Sequence, residues 1–208
     1  MSKTILITGI SYGLGKVLFE RFSDNPQYFT AGISRSSSNT KSNNTIAMKA
    51  DITKIDDIDA CLLKIKDSWG GLDVLINNAG IVGDFKKIED YTNEEVNTLV
   101  DINIKGTFLM TQRAVRIMRR PGYIINIGST RSITGAPNKT LYSMTKFALR
   151  GLTQSINSEM KKDGIISTIV CPGSFKTVPL ESIALMVENL INLPFEAHVP
   201  EVIIGGML

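Results

Sequence analysis

Two side chains four residues apart, Tyr142 and Lys146, suit proton transfer. On a helix, positions i and i+4 share a face, so the phenol hydroxyl and the ammonium group reach the same small volume. A phenol has a reference pKa of about 10, and a nearby cation favours the phenolate and lowers that value. The pair is therefore expected to donate and accept a proton near neutral pH.

The same spacing occurs between Tyr12 and Lys16. At most one of the two Tyr/Lys pairs is expected to be catalytic, and the spacing alone does not distinguish them. The surrounding sequence has to decide.

Tyr12 lies in a glycine-rich segment, Gly9-Ile-Ser11-Tyr12-Gly13-Leu14-Gly15, directly after the apolar run 4–8. Glycine at a strand-to-helix turn lets the backbone approach a pyrophosphate at the helix N-terminus, where free N–H groups and the dipole favour anions. The alternative is a tight turn without a ligand. Three glycines in seven residues after the first strand favour phosphate binding.

The elements that must position these residues alternate between strands and helices. Apolar runs predict strands at 4–8, 28–34, 45–50, 73–77, 123–128, 165–171 and 202–204. A helical pattern follows the glycine segment. Thr53-x-x-Asp56 and Thr92-x-x-Glu95 resemble capping boxes for two more helices, the second with apolar positions that continue toward Met118, and further helices are predicted at about 141–162 and 179–192. A polar loop is predicted at 36–44. This alternation predicts a parallel sheet with helices on both faces, in a single domain over residues 1–208.

Composition excludes several classes of function. The net charge of +3 is small and the basic residues are scattered, with Arg119-Arg120 interpreted as the solvated end of a helix, so no nucleic-acid binding is expected. No apolar run approaches the ~18 residues of a membrane span, and no signal peptide is recognised. Cys61 and Cys171 lack metal-ligand spacing, so free thiols in the cytoplasm and no metal site are expected. The single histidine, His198, is interpreted as a surface residue.

The spacing Thr8-Gly9-x-x-x-Gly13-x-Gly15 differs from the commoner dinucleotide motif and resembles that of the short-chain dehydrogenase/reductase superfamily. Further motifs follow in that family's order over nearly the whole chain: Asn77-Asn78-Ala79-Gly80, Asn103, Ser129 thirteen residues before Tyr142, Pro172-Gly173 and Thr177. The resemblance implies a Rossmann-type doubly wound sheet of about seven strands in the order 3-2-1-4-5-6-7. It also assigns Tyr12 and Lys16 to the cofactor loop and Tyr142 and Lys146 to the chemistry.

By this resemblance, four residues form the catalytic set. Tyr142 is the general acid in reduction and the base in oxidation, and Ser129 binds the substrate oxygen. Lys146 lowers the pKa of Tyr142 and holds the nicotinamide ribose, and Asn103 positions a water that links Lys146 to solvent. From the residues alone, Ser129 as a turn cap and Asn103 as a buried amide bonded to its own backbone stay open.

The end of the second strand indicates the cofactor. NAD sites in this fold place Asp or Glu there, whereas this chain has Ser34, Arg35 and serines at 36–38. An arginine fork suits a 2′-phosphate, so NADP(H) is predicted over NAD(H), with a solvated arginine as the alternative. Asp51 resembles the family's adenine contact, although helix capping equally suits an Asp there. The resemblance implies these cofactor-binding residues: Gly9, Ser11, Tyr12, Gly13, Leu14, Gly15, Ser34, Arg35, Asp51, Ile52, Asn78, Ala79, Gly80, Tyr142, Lys146, Pro172, Gly173 and Thr177.

The segment after Thr177 departs from the family. Most relatives have a longer helical lid there, whereas Val178-Pro179 leads directly into the last helix. A short lid predicts an open site that a bulky substrate or a partner subunit completes. Arg131 and Lys176 are either solvated charges or groups that attract an anionic substrate.

The function expected from the resemblance is an NADP(H)-dependent oxidoreductase that interconverts a carbonyl and a secondary alcohol on a small molecule. Helices at about 93–118 and 142–162 resemble those that pair between subunits, so a homodimer or homotetramer is expected. The alternative is a non-catalytic dinucleotide-binding sensor or partner protein, since fold alone does not fix function.

Overall fold

The computed structural model describes residues 2–36, 41–42, 44–174 and 177–205. This part of the chain forms an eight-stranded sheet in the order β3-β4-β2-β1-β5-β6-β7-β8. All neighbouring strands pair in parallel except β3, which is antiparallel to β4. Without β3, the seven parallel strands follow the predicted order, which confirms the expected fold. The strands are β1 (Lys3–Thr8), β2 (Tyr28–Ser34), β3 (Lys41–Ser42), β4 (Thr45–Lys49), β5 (Leu72–Asn77), β6 (Met118–Ile127), β7 (Ile165–Pro172) and β8 (Glu201–Ile204).

Six α-helices occur in the described residues: α1 (Gly13–Ser23), α2 (Ile55–Trp69), α3 (Asn93–Val100), α4 (Thr107–Ala114), α5 (Thr140–Met160) and α6 (Leu180–Asn192). A π-helical turn, Asp101–Gly106, joins α3 to α4. Short 3₁₀ turns lie at Ile88–Asp90, Thr130–Ser132, Lys161–Asp163 and Phe195–Ala197. None of the described helices is both long and apolar enough to cross a bilayer.

The helices cover both faces of the sheet, and each face has its own apolar core. Successive strand residues point to opposite faces, so Ile5 and Ile7 of β1 pack on one side and Leu6 on the other. The first core receives α1 and α6 through Leu14, Leu18, Phe22, Ile183, Val187 and Ile191. The second receives α2, α4 and α5 through Ile58, Leu62, Ile65, Met110, Ala114 and Ile156. Helices on both faces explain why the strands are nearly continuous apolar runs.

The prediction that the helix after Thr92-x-x-Glu95 continues toward Met118 is wrong. Helix α4 ends at Ala114, and Met118 pairs with Leu72 as the first residue of β6. The prediction that Arg119-Arg120 ends a helix is therefore also wrong. The Arg119 guanidinium reaches the Asp73 carboxylate of β5 at 2.8 Å and also donates to the Trp69 carbonyl. The ion pair to the neighbouring strand favours an extended backbone here.

One of the two predicted capping boxes is confirmed. The Thr92 hydroxyl accepts the Glu95 N–H at 3.2 Å, and the Glu95 carboxylate accepts the Thr92 N–H at 2.9 Å. The box at Thr53 is wrong, because the Thr53 hydroxyl donates to the Asp51 carboxylate at 2.8 Å, and α2 begins at Ile55 without a side-chain cap. The Asp51 carboxylate accepts hydrogen bonds from both the N–H and the hydroxyl of Thr53.

Part of the predicted loop 36–44 is regular in the residues that the structure describes. Residues 41 and 42 form the two-residue strand β3, which pairs with residues 46 and 45 of β4. The strand adds an antiparallel edge to the parallel sheet.

Candidate active site

The glycine segment lies at the carboxyl end of β1 and packs directly against residues that follow β5. Gly9 and Gly13 have φ values of +78° and +60°, a backbone conformation that favours glycine. A Cβ added to Gly9 would lie 2.8 Å from the Ala79 Cα, and one added to Gly15 would lie 2.0 Å from the Gly9 carbonyl oxygen. Side chains do not fit at Gly9 or Gly15.

Thr8 and Asn78 tie this segment to the end of β5. The Thr8 hydroxyl accepts the backbone N–H groups of Asn78 and Ala79 at 3.1 and 3.0 Å. The Asn78 amide donates to the carbonyls of Thr8 and Gly9 at 3.0 and 3.1 Å. The sequence motif includes Thr8 directly before the first glycine, but no role was predicted for its side chain. The two strand ends border the crevice in which open α/β sheets bind ligands.

The N-terminus of α1 fits the pyrophosphate of a dinucleotide. Its N-cap residue, Tyr12, makes no side-chain capping bond, and the first turn contains no acidic residue. Among the described residues, no side chain accepts a hydrogen bond from the first N–H groups of α1, and the helix dipole favours an anion. Tyr12 itself is 76% exposed, and Lys16 pairs with Glu20 at 3.7 Å. The second Tyr/Lys spacing therefore brings no buried pair together.

The Lys146 side chain is buried in α5, with 7% of its surface exposed. Its Nζ donates to the Ile127 carbonyl at the end of β6 at 2.8 Å, and lies 5.8 Å from the ring centroid of Tyr142. Burial lowers the pKa of Lys146 to about 8, because a desolvated ammonium loses its proton more easily. The lysine is still mostly protonated at neutral pH.

Tyr142 is half-buried beside Ser129. Burial raises the pKa of Tyr142, and a hydrogen bond with Ser129 and the positive charge of Arg131 oppose that increase in part. The expected lowering of this pKa by Lys146 is not found, since the ammonium donates to Ile127 and lies over the ring. The phenol is thus neutral near pH 7 and able to donate its proton.

Ser129 combines the two alternatives that the sequence left open. Its hydroxyl accepts the Arg131 N–H at 3.1 Å, and its own N–H donates to the Ser132 hydroxyl at 3.2 Å, so it caps the turn after β6. The same side chain is also close enough to the Tyr142 hydroxyl to lower the pKa of that phenol. The cap therefore holds the serine hydroxyl beside the phenol.

Asn103 is 1% exposed and lies in the π-helical turn, a local geometry that is frequent at functional sites. Its Oδ1 accepts the Ile81 N–H at 2.8 Å, and its Nδ2 donates to the Ile81 carbonyl at 2.8 Å and to the Thr145 hydroxyl at 3.1 Å. Asn103 thus bonds the backbone of another segment, not its own. A Cβ added to Gly80 would lie 3.2 Å from Asn103 Oδ1 and 3.9 Å from Lys146 Nζ, so these three residues are neighbours.

The residues predicted to bind the adenosine half lie at the ends of β2 and β4. Arg35 is exposed, and the Ser36 hydroxyl is 2.9 Å from that of Ser11 in the glycine segment. Burial acts to raise the pKa of Asp51, but hydrogen bonds from Thr53 and the charges of Arg35 and Lys54 outweigh it and lower the pKa. Asp51 therefore serves a turn and also lies near Arg35. Ile52 and Ser34 are buried, and residues 37–38 lie outside the described residues.

The last predicted site residues follow β7. The Gly173 N–H donates to the Ile204 carbonyl at 2.8 Å, and the Thr177 hydroxyl donates to the Ser174 carbonyl at 3.0 Å. Val178 is buried, and α6 begins two residues later at Leu180. Pro172 ends β7, and Lys176 lies outside the described residues.

Two more residues refine the sequence interpretation. His198 is partly exposed, as expected of a surface residue, and its Nε2 also lies 2.9 Å from the Ser167 carbonyl of β7. Thr145, which was missed, bonds Asn103 and donates to the Tyr142 carbonyl at 2.8 Å. The candidate site thus collects residues from the carboxyl ends of β1, β5, β6 and β7, the side of the sheet where ligands bind in this architecture.

Comparison with known proteins agrees with this geometry. Residues 3–187 match the family model of the short chain dehydrogenases. The chain is 33% identical over 183 residues to the 3-oxoacyl-acyl-carrier-protein reductase FabG of Buchnera aphidicola, covering 84% of this chain and 74% of that protein. It is 30% identical to the reductase MabA of Mycobacterium avium, covering 85% and 69%.

Solved structures show the same fold. A short-chain dehydrogenase/reductase from Serratia marcescens superposes with a TM-score of 0.88 at 25% identity, covering 97% of this chain and 95% of that one. A 3-ketoacyl-acyl-carrier-protein reductase from Brucella melitensis, complexed with NADH, gives a TM-score of 0.87 at 22% identity, with 97% and 95% coverage. The chain belongs to the short-chain dehydrogenase/reductase family of oxidoreductases, enzymes that use nicotinamide cofactors and act on small molecules.

Proposed function

We propose that the protein is an NADP(H)-dependent oxidoreductase that interconverts a carbonyl and a secondary alcohol, with Tyr142 as the general acid and base. One observation carries the proposal: the neutral phenol of Tyr142 lies beside Ser129 and buried Lys146, on the sheet edge that also holds an uncapped, glycine-rich helix N-terminus. Relatives named as 3-oxoacyl-acyl-carrier-protein reductases support a carbonyl substrate.

The bound nicotinamide would supply or accept the hydride at the reacting carbon. During reduction, negative charge develops on the carbonyl oxygen, and the hydroxyls of Ser129 and Tyr142 would donate hydrogen bonds to it. Tyr142 would then give its proton to that oxygen, and would take a proton back in the oxidation direction. Lys146 would hold the nicotinamide ribose and add positive charge under the phenol.

Asn103 has a supporting role in this proposal. Its amide fixes the segment after Gly80 against α5 through bonds to Ile81 and Thr145. That position supports the proposed water relay from Lys146 to solvent. Asn103 would act by positioning and not by touching the substrate.

The choice of NADP(H) rests on Arg35. Its exposed guanidinium follows β2 at the position where NAD sites carry a carboxylate, and Ser36 and Ser11 lie beside it. A 2′-phosphate would pair with this side chain. Structures of the same fold carry NADP in one case and NADH in another, so this chain's own residues have to decide.

The cofactor proposal is tested by the ratio of kcat/KM with NADPH to that with NADH. Wild type should prefer NADPH, and Arg35→Asp should shift the ratio toward NADH by at least tenfold, or about 1.4 kcal/mol. An unchanged ratio in the variant would place the phosphate site elsewhere.

The activity is tested by NADPH oxidation with ketones, aldehydes, sugars and acyl-carrier conjugates. Wild type should reduce members of at least one class, and Tyr142→Phe should lose roughly 100- to 10,000-fold of the rate while binding NADPH normally. A wild-type protein that binds NADPH but reduces none of these compounds would instead support the non-catalytic sensor.

We further propose that the protein forms a homodimer or homotetramer through α4 and α5. Phe108, Met144 and Phe147 on these helices are exposed large apolar side chains, and neighbouring exposed apolar groups mark interaction surfaces. Light scattering should give a mass of two or four chains. A monomer at micromolar concentration would contradict this proposal.

A cytoplasmic location is proposed from the two thiols. Cys61 and Cys171 are both free and buried, and free thiols are typical of reducing compartments.

A further inference from the structure

The segment that carries Ser129, Tyr142 and Lys146 is entirely free of acidic residues. No Asp or Glu occurs between Asp101 and Glu159. From Ser129 to the middle of α5 the same segment has four basic side chains, Arg131, Lys139, Lys146 and Arg150. The candidate site is therefore formed by a positively charged stretch of chain.

Three of these four basic side chains are engaged. Arg150 forms a two-pronged pair with Glu201 at 2.6 and 3.2 Å. Lys139 lies over the Phe85 ring at 4.4 Å, and Lys146 is buried against a backbone carbonyl. Their charges are paired, packed on an aromatic face or committed to the proposed cofactor site.

Arg131 differs from the other three. Within residues 2–36, 41–42, 44–174 and 177–205, no carboxylate forms an ion pair with it. Its Nη1 donates to the Gly135 carbonyl at 2.8 Å and to the Thr134 carbonyl at 3.5 Å. Its remaining guanidinium N–H groups have no protein acceptor in that part of the chain. The side chain is half-buried and held on one edge, so its fork is preorganised for an anion.

Arg131 is also close to the reacting groups. Its backbone N–H donates to the Ser129 hydroxyl at 3.1 Å, only two residues away. Its charge acts on Tyr142, whose pKa it lowers against the larger effect of burial. One small substrate could therefore place an anionic group on this guanidinium and its carbonyl oxygen beside Ser129 and Tyr142.

We propose that Arg131 binds an anionic group of the substrate, a carboxylate or a phosphate, and so selects carbonyl compounds that carry one. This rests on the proposed function. In the reduction, the reduced nicotinamide would give a hydride, which carries two electrons, to the carbonyl carbon and would itself be oxidised. The π electron pair of the C=O bond would move to the oxygen, which would take the Tyr142 proton, and solvent would reprotonate the phenolate. Arg131 takes no part in these bond changes and acts through binding.

The test compares paired substrates: a 3-oxo acid, its methyl ester and a ketone that bears a phosphate. Wild type should show kcat/KM at least tenfold higher for one of the anionic compounds than for the neutral ester. Whichever anion is favoured identifies the group that the site accepts. In Arg131→Met, kcat/KM should fall at least tenfold for that anion, mainly because KM rises, and less than threefold for the ester.

Two further variants separate charge from structure. Arg131→Lys keeps the charge without the fork and should retain part of the preference. Lys139→Met removes a positive charge from the same loop, outside the proposed site, and should keep the full preference. High salt should weaken the anion preference of wild type and leave Arg131→Met unchanged.

The proposal is overturned if wild type has the same kcat/KM for the ester as for both anions. It is also overturned if Arg131→Met lowers kcat/KM equally for all three substrates, since the arginine would then only support the loop. A calorimetric titration of the NADP-saturated protein with butyrate and with methyl phosphate gives a readout independent of turnover. Binding that is lost in Arg131→Met and kept in Lys139→Met supports the anion site even if the proposed reaction fails. Equal binding by both variants, or none by wild type, contradicts it.

Discussion

Replacement of Gly15 by alanine gives a sharp test of how the cofactor loop is built. A Cβ at this position would lie 2.0 Å from the Gly9 carbonyl oxygen and 2.4 Å from the Asn78 amide nitrogen. Ordinary carbon contacts begin near 3.4 Å, so α1 and the glycine segment must separate by more than 1 Å. Neither neighbour moves freely, because Asn78 donates to the carbonyls of Thr8 and Gly9.

The cost of Gly15→Ala follows from these contacts. Overpacking of this kind costs about 1–3 kcal/mol, and alanine's better helix propensity returns up to ~1 kcal/mol. We expect a net loss of about 1–2 kcal/mol, which corresponds to a melting temperature lower by roughly 2–8 °C for a chain of this size. NADPH affinity should fall at least tenfold, because the phosphate-facing backbone is displaced.

Gly151→Ala is the matched control. Gly151 is exposed within α5, and a Cβ added there meets nothing within 4 Å. This variant should gain about 0.5–1 kcal/mol and bind NADPH as wild type does. Thermal denaturation and a fluorescence titration with NADPH measure both effects. The packing argument is refuted if Gly15→Ala melts and binds NADPH as Gly151→Ala does.

Three other outcomes follow from the described contacts. Thr92→Ala removes the hydroxyl of the capping box and should lower the free energy of unfolding in urea by about 1 kcal/mol; an unchanged midpoint would mean that the box adds no stability. Burial lowers the pKa of Lys146 to about 8, so the folded state binds its proton less tightly than the unfolded chain, and stability rises with pH from about 8 toward the ordinary lysine value. The free energy of unfolding of wild type minus that of Lys146→Met should therefore rise by about 2 kcal/mol between about pH 7.5 and 9.5, whereas a flat difference would contradict a buried ammonium. Cys61 and Cys171 are buried, and burial raises the pKa of Cys61 to about 12, so a thiol reagent should label neither in native protein and both in denaturant; rapid native labelling would contradict this burial.

Much of the fold was readable because its signals are local. Apolar runs with helical patterns between them predicted the parallel strands to within a few residues at most ends, since each strand is covered on both faces. The grouping of the candidate site residues was also readable, because they follow strands at one edge of the sheet; their roles stay predictions. Glycines such as Gly9 and Gly15 were signals because no side chain fits there.

The errors came from contacts between distant parts of the chain. The apolar residues after Ala114 keep a helical spacing, although the helix has ended. The start of a strand is shown only by contacts with β5, where Met118 pairs with Leu72 and Arg119 with Asp73. Thr53 and Thr92 have the same local motif, yet only Thr92 caps a helix.

The pKa of Tyr142 was predicted in the wrong direction for a related reason. Sequence spacing placed a cation nearby, but burial of the phenol outweighs the charges around it. The extent of burial depends on how the loop after β6 packs on α5, which the residue pattern does not reveal.

The central claim is that the Tyr142 hydroxyl supplies the proton beside a bound nicotinamide. The most direct measurement is the single-turnover rate of NADPH oxidation at saturating cofactor and carbonyl substrate, for Tyr142→Phe and for Tyr123→Phe, whose lost hydroxyl contacts only the Leu193 carbonyl among the described residues. We predict that both variants bind NADPH as wild type does, that Tyr123→Phe keeps the wild-type rate, and that Tyr142→Phe is at least ~100-fold slower. A Tyr142→Phe protein that reduces its substrate at the wild-type rate would contradict the account.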